Sequence, residues 1–307
     1  MVKKIRACVL LSGGLDSLLA IKIMQEQGAE IFALFFKFPF AKDLQEDLQV
    51  FSKKENIHLN IFDCTKGKLL DEYLRVIKKA KYGRGVGFNS CIDCRIFLFK
   101  KAKEFAKEKK LDLIVTGEVL DERPMSQKRK MLNLVEKESE LKGILLRPLS
   151  AKLLEITIAE QKNLINREAF FGIHGRRRIK QMELAKKFNL SYPSPAGGCL
   201  LCEKGLKKRF KLFFAMENLW KHFNLLSVGR HFFIENNWII LGRNEKENEI
   251  LEKVKGGFLI VPDYSAPSVL IFGKIKESTK KKANNLIQAY SSEGSSNKRK
   301  LFEEYKI

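Results

Sequence analysis

Ser12-Gly13-Gly14-Leu15-Asp16-Ser17 follows directly on the apolar run from Ile5 to Leu11 and opens an apolar-periodic stretch of Leu15, Leu18, Leu19, Ile21, Ile23 and Met24. The run reads as a buried strand and the periodic stretch as a helix, with the hexamer as the turn between them. A glycine turn entering a helix is an anion site. Glycines let backbone N–H groups approach a phosphate, and the helix dipole favours negative charge there. The hexamer is neither GxxxxGK[ST] nor GxGxxG, so it is not the loop of ordinary nucleotide hydrolases or of dinucleotide-binding folds. Ser12 as the N-cap of a purely structural helix would explain Ser-Gly-Gly alone. It does not explain the full hexamer placed after a strand.

Working outward, residues up to about 115 alternate strand and helix in the manner of a parallel α/β sheet. The spacing predicts strands at Ile5–Leu11, Ile31–Phe36, His58–Phe62, Leu111–Val115 and Ile144–Leu146. It predicts helices near Leu15–Gln27, Leu44–Glu55, Leu69–Lys79 and Ile96–Lys107. The strands are almost wholly apolar, which requires cover on both faces. Residues 81–90 hold three glycines and read as a loop leading into Cys91-Ile92-Asp93-Cys94 at the start of the next helix. The polar loop opened by Thr116-Gly117-Glu118 lies at the carboxyl end of a strand, where open parallel sheets bind ligands. Thr157-Ile158-Ala159-Glu160 fits a capping box, and a helix follows Arg176-Arg177-Arg178. From about residue 209 the runs become short and alternating, separated by Asn, Gly and Pro turns, and predict a small α+β domain. After Tyr290 the segment SSEGSSNKRK reads as a mobile basic tail.

The chain has 307 residues and a formal charge of +22, with the excess gathered into clusters such as Arg176-Arg177-Arg178 and Lys280-Lys281-Lys282. Such clusters suit a polyanion, and no apolar run reaches the ~18 residues of a membrane helix. The N-terminus enters the first strand at once, without an export signal, so the expectation is a cytoplasmic protein whose partner is nucleic acid. In a reducing compartment six cysteines are metal ligands, reactive thiols or core residues rather than disulfides. Cys8 sits in the first strand and reads as core, and Cys64 ends the third. Cys91-x-x-Cys94 and Cys199-x-x-Cys202 are two CxxC steps, each able to place two thiolates on one centre. A structural zinc site, an iron–sulfur cluster and a persulfide-carrying pair all fit that spacing.

The hexamer resembles the signature of the PP-loop pyrophosphatases, which split ATP between the α and β phosphates and adenylate a substrate. Taken with Cys91-x-x-Cys94, Thr116 to Leu120, Arg123 to Gln127, Arg147 to Lys152 and Pro195 to Cys199, residues 5 to 210 resemble the tRNA thiouridine synthetases of that class. The likeness is to a ThiI-like, MnmA-like branch without the N-terminal RNA-binding domain. The resemblance implies that Ser12, Gly13, Gly14 and Ser17 cradle pyrophosphate, that Asp16 acts through Mg2+, and that Gly117 lines the adenylate pocket. It further implies a [4Fe–4S] cluster on Cys91, Cys94 and Cys199, with Asp16 and these three cysteines as the catalytic residues. Cys202 departs from the three-cysteine pattern, and as a fourth thiolate it would close the open iron site or complete a zinc site.

Val228 to Phe232 and Leu241 to Asn248 resemble the RNA-binding domain of NFACT proteins. The expected organisation is therefore 1–208 for ATP cleavage and thiolation, 209–290 for RNA binding, and 291–307 as the tail. The RNA contacts expected are Arg176, Arg177, Arg178, Arg230 and Arg243. Phe232, Phe233 and Trp238 are either base-stacking rings or strand core. The expected reaction is ATP-dependent thiolation of a tRNA uridine, tilted towards 4-thiouridine, with an external carrier protein, cysteine desulfurase or sulfide as donor. Rival readings are 2-thiouridine synthesis around a four-thiolate zinc site, an amidating PP-loop ligase, and a non-catalytic RNA- or ribosome-binding factor with a vestigial loop.

Overall fold

The computed structural model describes residues 4–193 and 198–307, which fall into two compact units, Met1–Lys204 and Gly205–Ile307. In the first, β1 (Arg6–Leu10), α1 (Leu15–Glu26), β2 (Glu30–Lys37), α2 (Gln45–Lys54), β3 (His58–Asp63), α3 (Gly67–Lys79), α4 (Cys91–Glu108), β4 (Leu113–Thr116), α5 (Arg129–Glu138) and β5 (Leu145–Leu146) follow in turn. The short α6 (Ile158–Gln161) and α7 (Ile179–Lys187) complete it. The strands form one parallel sheet in the order β3-β2-β1-β4-β5. Ala7, Cys8 and Val9 of β1 and Leu113 to Val115 of β4 are shut off from solvent. The doubly covered parallel sheet expected from the apolar strands is what forms.

After β1 the chain builds outward through β2 and β3, and then returns to place β4 on the opposite side of β1. Between β1 and β4 lies the switch point, where neighbouring loops part and leave a crevice at the carboxyl ends. The two loops meeting there are Ser12–Ser17 and the one opened by Thr116-Gly117.

One boundary differs from the expected one in a way that matters. Helix α4 begins at Cys91 rather than near Ile96, with the Cys94 N–H donating to Ser90 O at 2.9 Å. The first CxxC therefore lies in the opening turn of the helix itself. The capping box at Thr157 forms as expected, Glu160 reaching back to the Thr157 N–H at 2.7 Å.

The second unit comprises α8 (Lys207–Ala215), β6 (Arg230–Ile234), β7 (Asn237–Leu241), α9 (Glu245–Glu252), β8 (Phe258–Ile260), β9 (Val269–Phe272), α10 (Glu277–Tyr290) and α11 (Ser296–Lys300). Its antiparallel sheet runs β6-β7-β9-β8. Phe232, Ile239, Val269 and Ile271 pack with Ala283, Leu286 and Ile287 of α10. Trp238 and Phe232 are wholly buried, so neither is available to stack on a base. The Trp238 indole N–H donates to His231 Nδ1 at 2.9 Å, while His231 Nε2 lies 2.7 Å from Val228 O. Those partners define a neutral imidazole with its proton on Nε2. Burial, chiefly, holds the His231 pKa down at about 3, against an ordinary 6.5. Below pH 6.5 the unfolded chain takes up a proton that the folded chain refuses, so this stabilisation is full above 6.5 and is lost as pH falls towards 3. Thermal melts between pH 7 and 4 should fall steeply for the wild type and less for His231→Gln.

The segment expected to be a mobile basic tail is packed instead. Phe302 is buried, Lys306 bridges to Phe232, the Ile307 N–H donates to His231 O, and Arg299 donates to Ala289 O. The seven residues after the low-complexity stretch supply one buried aromatic ring and a strand-like bridge.

Candidate active site

The Ser12–Ser17 turn is held by its own hydroxyls. Ser17 Oγ donates to Gly14 O at 2.8 Å and accepts from the Ser12 N–H at 3.2 Å, while the Gly14 N–H donates to Ser12 Oγ at 3.4 Å. Gly13 has φ +78°. A cavity of about 490 Å3 opens beside it, bordered by Leu44, Leu48, Phe51, Asn189 and Tyr192. That volume is in the range of small-molecule sites.

Gly117 is packed against the turn rather than bordering this cavity. A Cβ at that position would stand 2.5 Å from the Ser17 nitrogen and collide with the Asp16 carbonyl. Only glycine lets the end of β4 press against the start of α1.

Asp16 sits in a charged pocket the sequence did not disclose. Its carboxyl pKa is pushed up to about 6, by burial first and then by Glu122, against the opposing pull of Arg178 and Arg123. Arg178 donates through Nε to Glu122 Oε1 at 2.8 Å and lies 3.6 Å from Asp16 Oδ2. Asp16 Oδ1 and Glu122 Oε2 are buried without partners. Two orphaned carboxylate oxygens fit Mg2+, which is typically held by one or two carboxylates together with substrate phosphates. Asp16→Asn removes a charge that the fold disfavours. It should raise stability at pH 7.5 by on the order of 2 kcal/mol, read from denaturant melts. The gain should shrink as pH falls below about 6 and vanish only well below 3.8, where both states carry a protonated Asp16.

The thiols converge. Cys202 lies within hydrogen-bonding reach of both Cys199 and Cys91, and Cys94 is close enough to Cys91 and Cys199 to feel their charge. Backbone contact draws the two segments together: the Phe88 N–H donates to Leu201 O at 2.8 Å. A Cβ on Gly87 would stand 2.8 Å from the Cys202 carbonyl carbon, so glycine is needed there too. The Asn89 amide donates to Cys91 Sγ at 3.2 Å. Cys202, the exposed member, has its thiol pKa lowered by hydrogen bonds from Cys199 and Cys91 and by Arg123. Donating to Cys202 raises Cys199, with burial adding to the rise, and burial pushes Cys94 up to about 12. Cys8 and Cys64 are buried, Cys64 near enough to Cys94 to feel it.

Among the described residues, no group of three or more His, Cys, Asp or Glu side chains is disposed to hold a metal ion. Cys202 is hydrogen-bonded to Cys199 and to Cys91, while Cys94 is hydrogen-bonded to Tyr73. Of the Pro195 to Cys199 motif, residues 195–197 lie outside the described residues.

A buried ion network missed by the sequence reading links the two centres. Glu118 pairs with Arg95, one residue beyond Cys94, and accepts from Arg147 Nε at 2.8 Å. Arg147 in turn donates to Glu136 at 2.9 Å. Arg95 also donates to Ser126 O at 3.0 Å. The signal in the sequence was an arginine or a glutamate inside otherwise apolar, strand-ending segments.

Of the arginines expected at RNA, Arg176 and Arg177 are exposed, whereas Arg178 is committed to Glu122 beside Asp16. In the second unit Arg230 is half-buried against Tyr290 and Gly242 O, and Arg243 is paired with Glu247.

A glycine turn at the switch point of a parallel sheet, joined to an antiparallel domain, defines a PP-loop α/β protein with an appended module. The profile described as "Thiamine biosynthesis protein (ThiI)" matches residues 3–164, over half of the chain, and the chain belongs to the ThiI family. The profile "NFACT protein RNA binding domain" matches residues 229–302. No curated protein sequence matches. Among solved structures, the chain is similar in part to a 4-thiouridine synthetase–RNA complex with bound ATP, at 19% identity and TM-score 0.39. That match covers 72% of this chain and 53% of the other, so this chain spans about half its length. A predicted subunit of tRNA methyltransferase from Methanocaldococcus jannaschii DSM is similar at 14% identity and TM-score 0.34, covering 64% and 96%. No helix among the described residues is long and apolar enough to cross a membrane.

Proposed function

We propose that this protein uses ATP to replace a carbonyl oxygen of a tRNA uridine by sulfur, giving 4-thiouridine. The observation that carries the reading is that one unit of a ThiI-family chain gathers four thiols and, through Glu118, ties their helix to the loop at the phosphate-binding turn. The RNA-binding domain matched at residues 229–302 favours a tRNA substrate over a small thiamine precursor.

Backbone N–H groups of Ser12 to Ser17 hold the β and γ phosphates, and the cavity beside Gly13 takes the nucleoside. Asp16 and Glu122 would hold Mg2+, which neutralises charge on the departing pyrophosphate. The uridine O4 attacks the α-phosphorus, forming an O–P bond and breaking the α–β bridge. Adenylation turns a poor leaving group into a good one. A sulfur nucleophile from an external donor then adds at C4, the C–O bond breaks, AMP leaves, and the thiocarbonyl remains. Where the donor is a carrier-protein persulfide, the Cys202 thiolate, its pKa lowered by its hydrogen bonds, would take the outer sulfur before that addition, the S–S bond of the carrier breaking and the carrier's own thiolate leaving.

Mass spectrometry of tRNA nucleosides from a deletion strain should show the loss of 4-thiouridine. Purified protein should release AMP and pyrophosphate only with tRNA present, under anaerobic reducing conditions. Unchanged nucleosides and no tRNA-stimulated AMP would sink the proposal. Loss of 2-thiouridine instead would move the reaction to C2.

A further inference from the structure

A second constellation lies within the Gly205–Ile307 unit. His222 is only 9% exposed and its Nε2 is buried without a hydrogen-bond partner. Its ring rests on Phe272, centroids 5.0 Å apart, so the imidazole is fixed rather than adrift. Facing it is the turn Lys255-Gly256-Gly257, with Gly256 at φ +90°. A Cβ built on Gly256 would stand 3.9 Å from His222 Nε2 and 3.7 Å from Lys221 Nζ. A side chain at 256 would thus fill a small space walled by an ammonium, an unpaired imidazole nitrogen and glycine backbone. Lys221 and Lys255 are both exposed.

We infer that this space is a phosphate subsite for RNA, and that Phe258 beside it takes an unpaired base. This rests on the reading above only in taking RNA as the substrate. A neutral imidazole N–H, a lysine ammonium and turn backbone are complementary to a phosphodiester oxygen, and burial of the unpaired nitrogen has a cost that such an oxygen would remove. Burial and Lys221 lower the pKa of His222, and in its Nε2–H tautomer the neutral ring would donate to an anion held beside the Lys221 ammonium. Phe258 begins β8, two residues beyond Gly256, which is at most about 7 Å of chain and within one nucleotide's reach. It is 38% exposed, with Lys280 Nζ 5.3 Å from its ring centroid, and Lys280 is itself paired with Glu277. A half-exposed ring under a cation, next to a phosphate cradle, is a single-strand platform. Val261 and Tyr264, also exposed, continue that edge. The contact differs from the one expected of Phe232, Trp238, Arg230 and Arg243, whose side chains are occupied internally.

The test is tRNA binding by the full-length chain, read by fluorescence anisotropy from 50 to 300 mM salt. Lys221→Glu should weaken binding about tenfold and lower the slope of log affinity against log salt by about 1. Phe258→Ser should weaken it at least fivefold and leave the slope unchanged. Both residues are exposed, so melts matching the wild type will show that neither effect is unfolding. Affinity and slope equal to the wild type in both variants would overturn the inference while leaving thiolation standing. Weakened binding by a protein that forms no thiouridine would support the subsite and sink the proposed reaction.

Discussion

Glu118→Ala should destabilise the first unit by about 3–5 kcal/mol, the range for removing one partner from a buried charge network. Glu118 is 6% exposed and Arg147 4% exposed, so neither charge can turn to solvent when the other is lost. Burial pushes the Glu118 carboxyl up, yet the Arg95 and Arg147 guanidiniums outweigh it and hold the group below its ordinary value of 4.5. Arg147 already has one buried nitrogen, Nη2, without a partner. In the variant it would keep only Glu136, and Arg95 would keep only the Ser126 carbonyl. Denaturant melts should show the loss in full at pH 7. Because the folded pKa is depressed, the wild type's advantage is present above about 4.5 and shrinks as pH falls through the folded value. Glu118→Gln keeps the shape without the charge and should fall between the two. A Glu118→Ala protein that melts with the wild type would show that the network contributes nothing.

The second large effect is expected at Gly117. A methyl group there meets the Ser17 nitrogen at 2.5 Å and the Asp16 carbonyl, and both are backbone atoms that cannot rotate away. Overpacking of this kind costs about 1–3 kcal/mol. The functional cost should exceed the structural one. Parting the end of β4 from the start of α1 displaces the Ser12–Ser17 turn and Asp16, to which the proposed reaction assigns the phosphates and Mg2+. A misplacement of about 1 Å costs on the order of 100-fold in rate. Gly117→Ala should therefore remain folded at 25 °C and release AMP about 100-fold more slowly with tRNA. Turnover within threefold of the wild type would show that the contact is packing alone.

Much of this was legible along the chain. Apolar runs placed β1 to β5 within a residue or two, because a strand covered on both faces has no choice but continuous hydrophobicity. The turn Ser12–Ser17 was legible because its glycines and hydroxyls act within six residues, bonding to one another. The extent of α4 was not. Its first turn, Cys91 to Arg95, carries two thiols and two charges whose partners lie elsewhere in the chain, and their pairing cannot be read from local pattern. The C-terminal segment misled for the same reason. One buried ring, Phe302, and a bridge to Phe232 outweigh a composition that reads as disordered.

The sequence by itself determined the fold class, the glycine turn and the presence of two CxxC pairs, since each is a property of neighbours along the chain. Tertiary structure alone decided what those groups face. It brought Cys91, Cys94, Cys199 and Cys202 together across more than a hundred residues, paired Arg178 with Asp16 and Glu122, and buried Trp238 against His231. Charge and hydrogen-bonding partners are set by distance in space. That distance is fixed only when the sheet closes and a glycine such as Gly117 lets one backbone rest on another.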